Sequence, residues 1–298
     1  MITKTAMITI AGRPNVGKST LTNTLVGEKI TIVSPKPQTT RRRILAVTSR
    51  GDTQFVFADT PGFHRPRTKL GDYMDNVVRQ SVADVDAVAL LVEPVASVGP
   101  QEKALIENLR QNDMPAVLVI NKADTVEDKR NLLPVIAVYS EAYDFTDIVP
   151  ISAKTGEGVE ELLDVLGQFA LEGPQLFPDD IVSDQPEKQI CAEIVREKLL
   201  LTLDKEIPHG TAVVVTKFAQ REDADVIDMD VTIYCEKQSH KGIIIGKHGA
   251  MLKKIGELSR RDIERFMGQK VFLQTWVKVK ENWRDSDALL RNFGFTDE

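Results

Sequence analysis

Eight consecutive residues, Gly12-Arg13-Pro14-Asn15-Val16-Gly17-Lys18-Ser19, stand between an apolar run that ends at Ala11 and a stretch of helical spacing from Ser19 to Leu25. They fit GxxxxGK[ST] in the strand-to-helix setting that gives the pattern meaning. Glycines let successive backbone N–H groups turn inward and cradle phosphate oxygens, and the helix that follows adds its positive end. In such a loop Lys18 reaches the β- and γ-phosphates, and the Ser19 hydroxyl, with Thr20 beside it, faces Mg²⁺. Phosphate chemistry is therefore the first expectation. The loop alone does not choose between adenine and guanine.

Asn121-Lys122-Ala123-Asp124, at the end of the apolar run Ala116 to Ile120, makes that choice. Guanine offers donors at N1 and at its 2-amino group, and the Asp124 carboxylate accepts both; adenine cannot complete that pair. A site built on such polar groups rejects the analogue lacking partners by on the order of 10⁴-fold. In isolation these four residues would read as a helix start capped by Asp124. Their position after the phosphate loop makes them base readers. Ser152-Ala153-Lys154, just past Ile148 to Ile151, is placed to offer a backbone N–H to guanine O6.

Between these motifs lies Asp59-Thr60-Pro61-Gly62, closing the run Thr53 to Ala58. Asp59 occupies the position that holds Mg²⁺ behind Ser19, and Gly62 lets a backbone N–H approach a γ-phosphate. Upstream, Gln38-Thr39-Thr40-Arg41 sits in a polar, proline-containing loop. Thr39 and Thr40 are both candidates to close over Mg²⁺. Lys18, Thr39, Thr40 and Gly62 are then the groups expected to act on the transferred phosphoryl. Phe63 follows Gly62, where a glutamine would orient water, so hydrolysis is expected to be slow and to need another group, potassium or a partner. His64 is left without a role.

Chemistry of a different kind is suggested near the C-terminal end. Ile244-Ile245-Gly246-Lys247-His248-Gly249 contains a GxxG turn, read here between a strand and a helix, a setting in which such turns clamp single-stranded RNA. Lys247 and Lys253 supply charge, and Ile244 and Ile245 either line the groove or fill the core. From residue 237 to 280 there are eleven Lys/Arg against three Asp/Glu, a balance of +8, while the whole chain carries −6, leaving −14 elsewhere. An acidic body repels polyanions and leaves one basic surface for an RNA backbone. Trp276 and Trp283 read as core residues.

The elements that must position these groups alternate in the first half. Ala6 to Ala11, Thr53 to Ala58, Ala87 to Val92, Ala116 to Ile120 and Ile148 to Ile151 are continuous apolar runs, as in strands buried on both faces. Helical stretches such as Gln101 to Arg110 separate them, and the pattern is that of an α/β doubly wound sheet. Gly173, Pro174 and Pro178 break both periods and mark a linker. Beyond it come a helix from Glu187, a strand Ala212 to Phe218, and a strict alternation Ile227, Met229, Val231, Ile233, Cys235. The glycine turn, a helix to Met267, a strand Val271 to Lys280 and a short terminal helix complete an α+β unit. With 298 residues the chain has length for two cores. Its apolar stretches fall far short of the roughly 20 residues that cross a bilayer. Two distant cysteines and four scattered histidines argue against a disulfide or a zinc site.

GRPNVGKS, KPQTTR, DTPGFH, NKAD and ISA together resemble the translation-factor-related GTPases, specifically the Era group. The GxxG turn and the order of elements around it resemble a type II KH domain, which ends Era proteins, and Trp276 to Lys280 followed by Asn282-Trp283 resembles their C-terminal end. The resemblance implies a P-loop NTPase domain over 1–172, a linker over 173–182 and a KH RNA-binding domain over 183–298. It implies Mg²⁺ as cofactor, GTP and GDP as substrate and product, and a nucleotide site running through Gly12 to Thr20, Asp59 to Phe63, Asn121, Lys122, Asp124 and Ser152 to Lys154. As partners it implies the 3′ end of small-subunit ribosomal RNA and the small ribosomal subunit. A cytoplasmic monomer is expected, with peripheral contact at the inner membrane surface as a further implication. The alternative is a GTP-regulated module that docks protein or membrane through a degenerate KH domain.

Overall fold

The computed structural model describes residues 2–36, 39–61, 68–80 and 85–295. The chain divides into two compact units, one taking residues 1–31, 37–66 and 74–184, the other 32–36, 67–73 and 185–298.

In the first unit the elements run β1 (Lys4–Gly12), α1 (Lys18–Val26), β2 (Ile44–Arg50), β3 (Thr53–Asp59), α2 (Lys69–Gln80, of which Lys69 to Tyr73 fall in the second unit), β4 (Ala87–Val92), α3 (Pro100–Gln111), β5 (Ala116–Ile120), α4 (Leu133–Ala142), β6 (Asp147–Pro150), α5 (Val159–Leu166) and β7 (Leu171–Glu172). Their sheet has the order β2-β3-β1-β4-β5-β6, with β7 antiparallel to the start of β1. The pairs β1–β3, β1–β4, β4–β5 and β5–β6 are parallel. Every residue of β4 is buried, and the strand's period of two divides them between two cores. Ala87, Ala89 and Leu91 join α1 and α5 on one face; Val88, Leu90 and Val92 join α3 and α4 on the other. Burial on both faces is why the run carries no alternation.

The sequence reading missed β2, which pairs antiparallel to β3 at the sheet's edge. Its residues mix buried Ile44, Ala46 and Val47 with exposed Ser49 and Arg50, so neither period stands out. Residues 173–184 are bound into the first unit rather than hanging between two bodies. The amides of Leu176 and Phe177 donate to Gln54 Oε1 at 2.9 and 3.0 Å, Gln54 Nε2 donates to the Phe177 carbonyl at 2.8 Å, and the Val47 amide donates to the Val182 carbonyl at 2.9 Å. A fully buried glutamine with all these groups satisfied holds the segment in place.

The second unit contains α6 (Glu187–Thr202), β8 (Thr211–Gln220), β9 (Val226–Cys235), α7 (Gln238–Ile245), α8 (Ala250–Met267), β10 (Lys270–Val279) and α9 (Asp287–Asn292). Its sheet has the order β10-β9-β8, with β9 parallel to β10 and antiparallel to β8. Ile227, Met229, Val231, Ile233 and Cys235 face α6 and α8 in one core, as their alternation requires. One expectation is corrected: the glycine turn follows a helix, α7, and not a strand. With Ile244 as its one fully buried residue and Gly242 inside it, α7 shows no helical stripe. Trp283 is core, its Nε1 donating to the Gly210 carbonyl at 3.0 Å, but Trp276 is 55% exposed, contrary to its reading as a core residue.

Candidate nucleotide site and glycine-loop surface

Gly12, Asp59, Val92, Ile120 and Pro150 end β1, β3, β4, β5 and β6, so the motifs scattered over the sequence gather at the carboxyl ends of parallel strands. That edge is where open α/β sheets bind ligands. The loop from Gly12 to Gly17 bends through Asn15 (φ 65°) and Gly17 (φ 109°) into α1, whose first residue is Lys18.

Lys18 is buried, and its ammonium donates to the carbonyls of Gly12 at 2.9 Å and Arg13 at 3.1 Å. Burial pulls its pKa down to about 8, opposed by the Asp59 carboxylate. Asp59 is fully buried, and burial pushes its pKa up to about 6 against Lys18 and the hydroxyls of Ser19 and Thr40. Ser19 Oγ lies 2.9 Å from Thr40 Oγ1, which donates to Asp59 Oδ2 at 3.2 Å. Asp59 Oδ1, also buried, has no hydrogen-bond partner among the described residues. Two hydroxyls and a carboxylate with one unsatisfied oxygen form a hard-oxygen donor set suited to a small divalent cation. Thr40 is in this set; Thr39 is less buried. Thr60 Oγ1 donates to the Ile10 carbonyl at 3.3 Å, and Pro61 is buried beside it. Gly62, Phe63 and His64 lie outside the described residues.

Asn121 joins three motifs. Its Nδ2 donates to the Val16 carbonyl at 2.8 Å, and its Oδ1 accepts from the Ala153 amide at 2.9 Å. Lys122, at φ 63°, donates from Nζ to the Asn15 carbonyl at 3.0 Å. Thr24 Oγ1, on α1, donates to the Ala153 carbonyl at 2.7 Å. Ser152 and Ala153 are buried, whereas Asp124 and Lys154 are exposed. A buried frame thus leaves the Asp124 carboxylate exposed at the sheet edge. Pro14 and Thr20 are half-buried, and the Thr20 carbonyl accepts from Thr24.

Two acidic residues at this edge escaped the sequence reading. Glu93, directly after β4, ion-pairs with both Arg13 and Lys122, and buried Glu102 lies 3.4 Å from Arg13 Nε. The signal was present: a lone carboxylate closing an all-apolar strand at a ligand-binding sheet edge.

On the second unit, Lys247, His248 and Lys253 are exposed around the glycine turn. Gly246 has φ 73° and ψ 175°, and a Cβ on it would stand 2.6 Å from Met251 Cβ. Gly249, at φ 78°, has open space around it. Ile244 is wholly buried in the core, so it cannot meet a ligand; Ile245 is partly buried and Ile243 is 48% exposed.

Comparison with known proteins covers both units. A family model described as 50S ribosome-binding GTPase matches residues 7–122, and a KH-domain model matches 206–284. The chain is 48% identical over 295 residues to the GTPase Era of Caldanaerobacter subterraneus subsp. tengcongensis, covering 99% of each protein. It is 49% identical over 292 residues to that of Ruminiclostridium cellulolyticum, covering 98% of this chain and 97% of the relative. Among solved structures it is similar to an Aquifex aeolicus Era variant bound to GDP·AlF4−, with a TM-score of 0.94, 35% identity, and 99% and 100% of the two chains covered. Another, Era in complex with MgGDPNP and nucleotides 1506–1542 of 16S ribosomal RNA, superposes with a TM-score of 0.95 at 35% identity and the same coverage.

Proposed function

The chain belongs to the Era family of GTPases, and on that premise we propose that it binds Mg²⁺–GTP, hydrolyses it slowly as a switch, and holds the 3′ end of small-subunit ribosomal RNA during assembly of the small ribosomal subunit. The observation that carries the nucleotide half is the meeting of Ser19, Thr40 and Asp59 beside Lys18. Ser19 and Thr40, with Asp59 beside them, are the residues that would hold Mg²⁺, and the ion would supply charge stabilisation for the phosphoryl oxygens. Gly12 to Thr20 wrap the phosphates, and Lys18 moves from the loop carbonyls to the β- and γ-oxygens. Asp124 pairs with the guanine edge, Lys122 flanks the base, and Ser152 to Lys154 offer an amide to O6. Gly62 and Phe63 enter by their chemistry alone: a glycine carries no side chain to block a γ-phosphate, and a phenylalanine has no polar group to orient water, so turnover should be slow.

For the RNA half, the turn 246–249 takes the backbone of a short single strand, Lys247 and Lys253 add phosphate contacts, and Ile245 lies beneath the bases. The nucleotide domain spans 1–172, the segment 173–182 follows it, and the RNA-binding domain spans 183–298. No helix among the described residues is long and apolar enough to cross a membrane. We assign the chain to the cytoplasm as a monomer, with any inner-membrane contact confined to the surface.

Competition of GTP, ATP and XTP against labelled GDP tests the base assignment. ATP competing as well as GTP would refute it, and Asp124→Asn should shift preference toward XTP, whose C2 carbonyl accepts from an amide. Anisotropy of small-subunit ribosomal RNA 3′-end oligonucleotides, with scrambled controls, tests the other half.

A further inference from the structure

Glu93 follows β4 directly and places a carboxylate between cations from two different motifs. Its Oε2 accepts from Arg13 Nη2, in the phosphate loop, and its Oε1 accepts from Lys122 Nζ, in the base motif. Each oxygen serves one partner. The Glu93 side chain is 26% exposed, so these pairs are screened less than surface ones. A second carboxylate completes the cluster: Glu102 Oε1 lies 3.4 Å from Arg13 Nε, and its side chain is 6% exposed. Glu102 stands in the first turn of α3, folded so closely over Gly99 that a Cβ there would meet its Oε2 at 2.6 Å. The charge of Arg13 is thus answered by two carboxylates of the protein itself. The apolar core of β4 ends at Val92, so removing the charge at 93 takes nothing from it.

Two unfavourable backbone conformations depend on this cluster. Asn15 and Lys122 have φ of 65° and 63°, in the left-handed region that residues with a Cβ avoid. Such conformations persist where the surroundings over-determine them. Here one ammonium links the two: Lys122 Nζ donates to the Asn15 carbonyl at 3.0 Å and also to Glu93. Glu93 fixes where that ammonium sits, and the ammonium ties the phosphate loop at Asn15 to the base motif.

We propose that Glu93 is a positioning residue for the bound nucleotide: through Lys122 and Arg13 it keeps the base motif and the phosphate loop at one spacing, and without it guanine nucleotide escapes faster. The inference rests on the nucleotide-binding reading above and deepens it. In that reading Lys122 flanks the base and Asn15 belongs to the loop around the phosphates, so slack in the Lys122–Asn15 bond loosens both ends of the ligand. The sign of the effect separates positioning from plain charge. A carboxylate repels an anionic nucleotide, so if Glu93 acted by its field alone, removing its charge would tighten binding and slow release. Removing a carboxylate that positions does the opposite.

Full-length wild type and Glu93→Gln are loaded with a fluorescent GDP and chased with excess unlabelled GDP. Glutamine keeps the shape of the side chain and loses the charge. Release should speed up about tenfold, the effect of one lost charge-assisted hydrogen bond at a half-buried site, while association stays within about threefold. Lys122→Met keeps the apolar stem and loses the ammonium, so it too should release GDP faster. Adding Glu93→Gln to Lys122→Met should then change release by less than about threefold, because residues that act through one contact do not add. A Glu93→Gln protein that releases GDP at the wild-type rate or more slowly overturns the proposal, and so does full additivity with Lys122→Met. Should Glu93→Gln also melt at a lower temperature without nucleotide, the comparison in the Lys122→Met background still decides, since a general loss of stability would add to it. A wild type that fails to retain labelled GDP would overturn the nucleotide reading and this inference with it; one that retains GDP confines any failure to Glu93.

Discussion

The side-chain amide of Asn121 occupies the space a Cβ on Gly17 would need: such an atom would stand 2.1 Å from Asn121 Nδ2. The base motif therefore reaches into the phosphate loop, and the two are one structure. Asn121 donates to the Val16 carbonyl inside that loop and accepts from the Ala153 amide beyond β6, so three separate segments share one buried side chain. Nucleotide affinity should depend on this residue although it need touch no ligand atom.

Asn121→Ala should accordingly speed GDP release by about 10- to 100-fold. It leaves the Val16 carbonyl and the Ala153 amide without partners in a buried place, each worth about 1–3 kcal/mol. Gly17→Ala should have an effect at least as large, because the new Cβ displaces the amide. Dissociation of a fluorescent GDP, measured by chase with unlabelled GDP, checks both. Release at the wild-type rate from Asn121→Ala would mean the three segments hold their geometry without it.

Thr39 and Thr40 are indistinguishable in the sequence, but the structure puts Thr40 against Ser19 and Asp59. Thr40→Ala should reduce Mg²⁺-dependent GTP turnover by about 10- to 100-fold, consistent with the loss of one preorganised group at the transferring phosphoryl. GDP affinity should stay within about threefold of wild type, since the γ-phosphate state is the one that needs the closed loop. Thr39→Ala should leave turnover within the same threefold margin. Phosphate release at varied Mg²⁺ separates the two, and equal loss for both variants would contradict the assignment.

How much of this could be read beforehand follows from where each signal lives. The phosphate loop, Asp59 and Asn121 to Asp124 are local patterns at strand ends, and the parallel sheet announced itself through runs such as Ala87 to Val92, buried on both faces. The bond from Asn121 to Val16 spans 105 positions, and no local period encodes it. Glu93 was marked locally, as a lone carboxylate closing an all-apolar strand, but its partners Arg13 and Lys122 are brought to it only by the sheet. Helix α7 was missed because eight residues with one fully buried position leave no stripe to detect. Trp276 was misjudged because alternation along β10 says which residues share a face but not which face is covered.

The buried pair Lys18 and Asp59 should make the metal- and nucleotide-free protein least stable near neutrality. Asp59 has its pKa raised to about 6, so its contribution is full below its ordinary value and is lost as pH rises through about 6. Lys18 has its pKa lowered to about 8, so its contribution is present above its ordinary value and is lost as pH falls through about 8. Between about 6 and 8 both charges are held in a desolvated site at the same time. Thermal melts of the stripped protein from acid to alkaline pH should show a shallow minimum there. Asp59→Asn should raise the melting temperature inside that window by about 3 °C, as about 1 kcal/mol does for a domain of this size, and should fill the minimum from its acid side. A melting profile for Asp59→Asn parallel to wild type would show that the carboxylate's burial is not being felt.

The two glycines of the RNA turn should respond differently to the same substitution. Gly246 combines φ 73° with ψ 175°, a region open essentially to glycine alone, and a Cβ there meets Met251 Cβ at 2.6 Å. Gly246→Ala should destabilise the second unit by about 2 kcal/mol or more, so any loss of RNA binding would be mixed with loss of structure. Gly249 has φ 78° and ψ 6°, the left-handed region that other residues enter at a cost of about 1 kcal/mol, and beyond its own chain neighbours no atom of the described residues lies within 4 Å of its would-be Cβ. Gly249→Ala should therefore leave the fold nearly intact and place a methyl group in solvent, where an RNA backbone must approach. It is the cleaner probe of the turn. Urea melts followed by anisotropy with a short single-stranded RNA should show a small change in midpoint and at least a tenfold loss of affinity for Gly249→Ala, as expected when about 1.4 kcal/mol of contact is lost. A variant that melts like wild type and binds like wild type would mean that the backbone of the RNA passes elsewhere, and that the glycine at 249 serves only the start of α8.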